Sequence, residues 1–154
     1  MQIDAGLGQV VATNTSQIPY YLVGDKWIRL PDSLKHITVG PAGIWSINSE
    51  TKISKYVAGN WVTYLFFQLN LNCQNKGWSH IDGKLSMIEV ATDGSVFGVN
   101  SAGDVFTRDG ITASKPEGTG WSNVPMYMPK KHETYDLGRL WVVSKTGVTM
   151  VCTH

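Results

Sequence analysis

A chain of 154 residues is long enough to bury a core, yet with 16% charged residues and a formal net charge of +1 it lacks the basic field that nucleic acid or an anionic membrane requires. Its most apolar run, Tyr64-Leu65-Phe66-Phe67, falls far short of the ~20 residues that span a bilayer as a helix. Helical periodicity is absent, while 16 glycines and 6 tryptophans point to a turn-rich, all-β chain with aromatic surfaces.

The first unit covers residues 2–30, with Ile3, Gly6, Val10-Val11 and Asn14 as landmarks and strands expected at 10–13 and 20–23. The second, residues 34–61, restates the pattern as Ile37-Thr38-Val39-Gly40-Pro41-Ala42-Gly43-Ile44-Trp45-Ser46-Ile47-Asn48, with strands at 37–39, 44–47 and 53–57. Residues 62–84 form an irregular junction. Its first half is uncharged, strongly β-prone and an aggregation hazard if unpaired. Its second half, Gly77-Trp78-Ser79-His80-Ile81, resembles Gly120-Trp121-Ser122-Asn123-Val124 and reads as the closing strand of a unit whose body is missing. The third unit, residues 85–121, places strands at 87–90, 96–99 and 105–108. The fourth, residues 131–154, places them at 140–143 and 148–151.

Pro41-Ala42-Gly43 and Thr92-Asp93-Gly94 read as tight turns in which glycine accepts a positive φ. Asn14, Asn48 and Asn100 end second strands, where an amide side chain bonds the turn backbone. A period of about 35 residues built from short strands predicts an array of small antiparallel sheets. Such sheets bury their faces only by stacking, so residues 1–154 are expected to form one domain.

The residues 39–61 and 90–121, with Val-Gly or Val-Ala, a glycine turn, Trp45 or Phe97, then Asn and a later Gly shortly before Trp61 or Trp121, resemble tectonin-type β-propeller repeats, whose pattern there is Gly-x-x-Trp. The segments Leu85-Ser86-Met87-Ile88-Glu89-Val90, Gly120-Trp121-Ser122-Asn123-Val124-Pro125 and Met150-Val151-Cys152-Thr153-His154 are similar to the fish egg lectins, and more distantly to tachylectin-1. The resemblance implies a propeller lectin, secreted and active in innate or egg defence. Its ligands would be N-acetylated sugars such as N-acetylglucosamine, bacterial lipopolysaccharide and similar glycans. It also implies calcium in several members, though no loop here has the dense acidic pattern of a high-affinity calcium site. Family rings have six blades, whereas about four repeats are present here, so the alternatives are a closed four-bladed ring and an incomplete one. Met1-Gln2-Ile3-Asp4 opens inside the first repeat, without the look of a secretory leader. The resemblance pairs the C-terminal cysteine with one on an N-terminal strand, which leaves Cys152 without that partner; a Cys73–Cys152 bridge stays open.

Trp45, Phe97 and Trp141 share one repeat position with Val11, and Trp27, Trp61, Trp78 and Trp121 share another. Packing of blade on blade is their simplest role. Stacking on the C–H face of a sugar is the functional one, with Trp61 and Trp121 beside glycine-rich loops the better candidates. Asn48 and Asn100 read first as turn residues, and second as amides that could meet an N-acetyl group or ring hydroxyl. His36 and His132 sit at one repeat position beside Lys35 and Lys131, with no zinc-like spacing. Glu133 stands where Ile37 and Ile88 lead the expectation of an apolar residue. No nucleophile–base pair, phosphate loop or paired carboxylates recommends catalysis. A glycan-binding protein is therefore expected, with no nucleic-acid partner, no membrane insertion, and a homo-oligomer formed through the open blade edge after Val151. The alternative is a protein-interaction propeller without sugar binding.

Overall fold

A computed structural model describes residues 1–57 and 77–153 of the chain. They form four antiparallel sheets, each strand beside its sequence neighbour. Blade 1 holds β1 (Gln2–Gly6), β2 (Gln9–Thr13), β3 (Pro19–Val23) and β4 (Lys26–Arg29). Blade 2 holds β5 (His36–Gly40), β6 (Gly43–Ile47), β7 (Lys52–Val57) and β8 (Gly77–Lys84). Blade 3 holds β9 (Met87–Val90), β10 (Val96–Val99), β11 (Val105–Asp109) and β12 (Gly120–Val124). Blade 4 has three strands, β13 (Lys130–Asp136), β14 (Arg139–Ser144) and β15 (Thr149–Thr153). The innermost strands β1, β5, β9 and β13 contact one another in succession. This is a four-bladed β-propeller arrangement, all-β as the repeats imply.

The segment 77–84, expected to stand apart in the junction, is instead the fourth strand of blade 2, with Tyr56 opposite Trp78 and Ile53 opposite Ile81. The reason lies in the repeat: Gly77-Trp78 stands to β7 as Gly120-Trp121 stands to β11. Trp61, assigned to that closing position from the sequence, lies outside the described residues, as does Cys73. The tight turns form as expected, with Gly43 at φ 91° and Gly94 at φ 87°.

Strand alternation gives each blade a forward and a backward face. Val11, Trp45, Phe97 and Trp141 point forward, toward the next blade. Ile3, Ile37, Ile88 and Glu133 point back. Blades 1 and 2 meet over Val11, Leu34, Ile37 and Val39, and blades 2 and 3 over Trp45, Ile47, Ile53, Ile88 and Val96. Blades 3 and 4 meet over Phe97, Val99, Val105, Leu140 and Val142. Burial follows position in the array. Ile37 and Ile88 are 0% exposed but Ile3, their equivalent on the first blade, is 66% exposed.

A polar clasp runs along the inner strands. Thr38 Oγ1 and the Val39 amide donate to Asp4 Oδ2 at 2.7 and 2.8 Å. The Val90 amide donates to Thr38 Oγ1 at 3.1 Å, and Thr134 Oγ1 donates to Glu89 Oε1. Asp4, Thr38, Glu89 and Thr134 share one register position, so successive blades are clasped from the same place on their inner strands. Blades also approach closely where β1 ends: a Cβ on Gly6 would lie 2.2 Å from the Val39 carbonyl oxygen. Only glycine fits there.

Candidate functional site

The meander puts the first hairpin turn of every blade, and the third turn of blades 1 to 3, on one rim of the array and the second turn on the other. Trp121 opens β12 at the first rim; Asn48 and Asn100 occupy second turns at the opposite rim. The two kinds of candidate therefore do not converge on one site. Asn48 Oδ1 accepts the amides of Glu50 and Lys52, both at 3.0 Å. Asn100 Oδ1 accepts those of Gly103 and Asp104 at 2.9 Å, and its Nδ2 donates to Asp104 Oδ2 at 3.0 Å. Asn14 makes the same turn through Ser16 and Ile18. The side-chain oxygens are thus committed to the backbone, the role favoured for asparagine at such turns.

Trp121 is half-buried between blades 2 and 3. Its Nε1 donates to the Asp82 carbonyl at 2.9 Å, and its ring meets the edge of Trp45 at 6.4 Å and 75°. The Arg108 guanidinium lies 5.1 Å from the centroid of the same ring and donates through Nε to the Glu117 carbonyl at 2.8 Å. A cation over an indole is attracted by the ring quadrupole, and the pair makes a flat plate with charged edges. One blade earlier the plan repeats: Trp78 Nε1 donates to the Pro31 carbonyl at 3.0 Å while Tyr56 packs against it at 5.1 Å.

Beside each pair a groove opens on the first rim. The groove between blades 2 and 3, of 570 Å³, runs along Pro41, Asp93, Ser95, Arg108 and Thr112. Its neighbour, of 620 Å³, runs along Gln9, Lys55, Tyr56, Ser79 and Glu117. Burial lowers the pKa of Lys55, opposed by the charge of Glu117. Both volumes fall within the ~300–1,000 Å³ of small-ligand clefts. Arg108 and Lys55 escaped sequence reasoning because their place depends on pairing with β12 and β6, which no local pattern announces.

Among the described residues no three His, Cys, Asp or Glu side chains gather where they could hold a metal ion. His36 is partly buried and the His132 ring is exposed at its edge, and the desolvation each meets lowers its pKa. Cys152 is exposed on β15.

The perivitellin-2 31 kDa subunit of Pomacea maculata is 29% identical over 72% of this chain and 35% of its own length. The fish-egg lectin of Cyprinus carpio is 38% identical over 165 residues, which span 98% of this chain and 65% of the lectin. The chain therefore spans less than two thirds of these relatives. In fold it is similar to human WBSCR16, with a TM-score of 0.68 at 10% identity over 98% of this chain and 46% of that one. It is also similar to a chain in the complex of Kap60 with yeast RCC1, with a TM-score of 0.65 at 10% identity over 99% of this chain and 41% of that one. The tectonin domain matches residues 1–71 and 64–145, nearly the whole sequence, and the repeated Asn turns and inter-blade tryptophans are its structural counterpart. The chain belongs to the tectonin family.

Proposed function

We propose that the chain is a non-catalytic carbohydrate-binding lectin, secreted, and directed at N-acetylated sugars and bacterial surface glycans such as lipopolysaccharide in egg or innate defence. The observation that carries this reading is the 38% identity to a fish-egg lectin. The first-rim grooves supply a chemistry consistent with it. A sugar could lay its C–H face on the exposed part of the Trp121–Arg108 plate, while Ser95, Thr112 and Asp93 offer hydroxyls and a carboxylate to its hydroxyls. Arg108 also suits the phosphates of lipopolysaccharide. Asn48 is a candidate on the other rim through its amide nitrogen, Asn100 would have to give up its bond to Asp104 to serve in the same way, and Trp61 remains a candidate by its place in the sequence. Weak sites repeated from blade to blade would gain from avidity on a multivalent surface. The free edge of β15 is a candidate for pairing with a second chain.

Retention on immobilised N-acetylglucosamine tests the reading. Trp121→Ala should weaken binding by about 1–2 kcal/mol, roughly five- to thirtyfold. Because Trp121 also packs against Trp45, melting is measured alongside, and Arg108→Ala should weaken binding while disturbing the core less. Retention no greater than that of an inert β-protein, with lipopolysaccharide equally ignored, overturns the proposal in favour of a protein-interaction propeller.

A further inference from the structure

The two ends of the array carry the two halves of an interface that the chain already makes three times internally. At one end the backward face of blade 1 is bare: Ile3 is 66% and Trp27 46% exposed, and with Ala12 and Tyr20 they line an apolar groove. Their equivalents are inter-blade residues elsewhere. Ile37 and Ile88 are fully buried, and Trp78 and Trp121 each seal against the preceding blade with an indole hydrogen bond. At the other end the forward face of blade 4 is bare. Trp141 is 41% and Val151, opposite it, 45% exposed, whereas Trp45 at the same position is fully buried. A backward face and a forward face are what adjoining blades press together inside the chain, so the two bare ends are complementary to each other and neither is complementary to itself.

We propose that two copies of this chain associate head to tail, the forward face of blade 4 in one copy seating on the backward face of blade 1 in the other. The contact is continuous with the internal inter-blade packing and uses the same residues. Trp141 would fill the place that Trp45 fills against blade 3, and Ile3 the place of Ile37. A head-to-tail contact either closes a ring or grows a filament. Two copies of four sheets each make eight blades, within the range of closed propellers. Closure by two-fold symmetry buries both bare faces of both copies at once. The proposal concerns faces, and so differs from backbone pairing at the β15 edge. It is independent of sugar binding.

Light scattering of the purified 154-residue chain across a concentration series should show dimer dissociating to monomer on dilution. Ile3→Glu and Trp141→Glu each place a charge in the contact and should raise the dissociation constant about tenfold or more. Both sites are exposed in the single chain, so folding should survive, with circular dichroism as the check. Trp27→Glu and Val151→Glu serve as second variants on the two faces. The decisive measurement mixes the two single variants. The Ile3→Glu copy keeps a sound forward face and the Trp141→Glu copy a sound backward face, so an equimolar mixture should recover association that neither shows alone. A monomer at every concentration overturns the proposal and leaves the faces to further blades of the same polypeptide. Dimers insensitive to one face, or a mixture that does not recover, overturn it in favour of a like-with-like or edge contact.

Discussion

Trp45→Ala should destabilise the chain by about 3–5 kcal/mol, against a total of roughly 5–15 kcal/mol for a domain of this kind. Trp45 is fully buried at the junction of blades 2 and 3, with Nε1 donating to the Ala42 carbonyl at 3.0 Å and Trp121 meeting its ring edge-on. Removing the indole opens a cavity among Ile47, Ile53, Ile88 and Val96, residues whose strands are held by ladders, on both sides for all but Ile88 of the inner strand β9, and cannot collapse freely into it. Trp141→Ala removes the same side chain from the same repeat position, but at the bare face of blade 4, and should cost less than about 1 kcal/mol at concentrations where the chain is monomeric. Chemical denaturation of the pair measures the difference directly. Equal losses would mean that Trp45 and Trp141 have equivalent surroundings, and the blade order described above would fail.

The repeat itself was legible because its signals are local. The short apolar strand at Ile44–Ile47, the glycine turns and the asparagines ending second strands are each decided within a few residues, and each forms as read. What escaped are decisions made across the chain. Gly77-Trp78 closes blade 2 because β7 is left with a free edge, a fact about pairing rather than composition. Asp4 looks like any exposed carboxylate until β5 arrives to donate Thr38 and Val39 to it. The candidate site was legible in part. Trp121 has its indole N–H held by Asp82, and the Arg108 that covers it, which lines the groove, has no motif of its own. Asn48 and Asn100 are at equivalent turns, which their spacing already implied, and their place on the rim opposite Trp121 follows only from the direction of the strands.

Glu133→Ile should stabilise the chain by about 1–3 kcal/mol at neutral pH, the typical cost of leaving a buried polar group without partners. Glu133 is fully buried on the backward face of blade 4, and among the described residues neither carboxylate oxygen has a hydrogen-bond partner. Isoleucine is what the repeat places there in blades 2 and 3. Burial, and next the charge of Glu89, push the Glu133 pKa well above its ordinary 4.5. Glu89 is itself raised by burial, opposed by the Thr134 hydroxyl. The folded state therefore holds a proton that the unfolded chain gives up, and this contribution to stability is complete below pH 4.5 and lost as pH rises through the elevated value. His36 and His132 act the other way. Burial lowers both below 6.5, so their contribution is present above that value and lost as pH falls through the depressed one. The wild-type curve mixes these slopes, and the difference between wild type and Glu133→Gln isolates the acid. Glutamine keeps the buried polar bulk but cannot titrate, so its stability relative to wild type should climb as pH rises above 4.5 and level off once Glu133 is ionised. Denaturant melts at a series of pH values give that difference curve. A flat one would mean that Glu133 meets water or a cation in solution, and the tight seam between blades 3 and 4 would have to be redrawn.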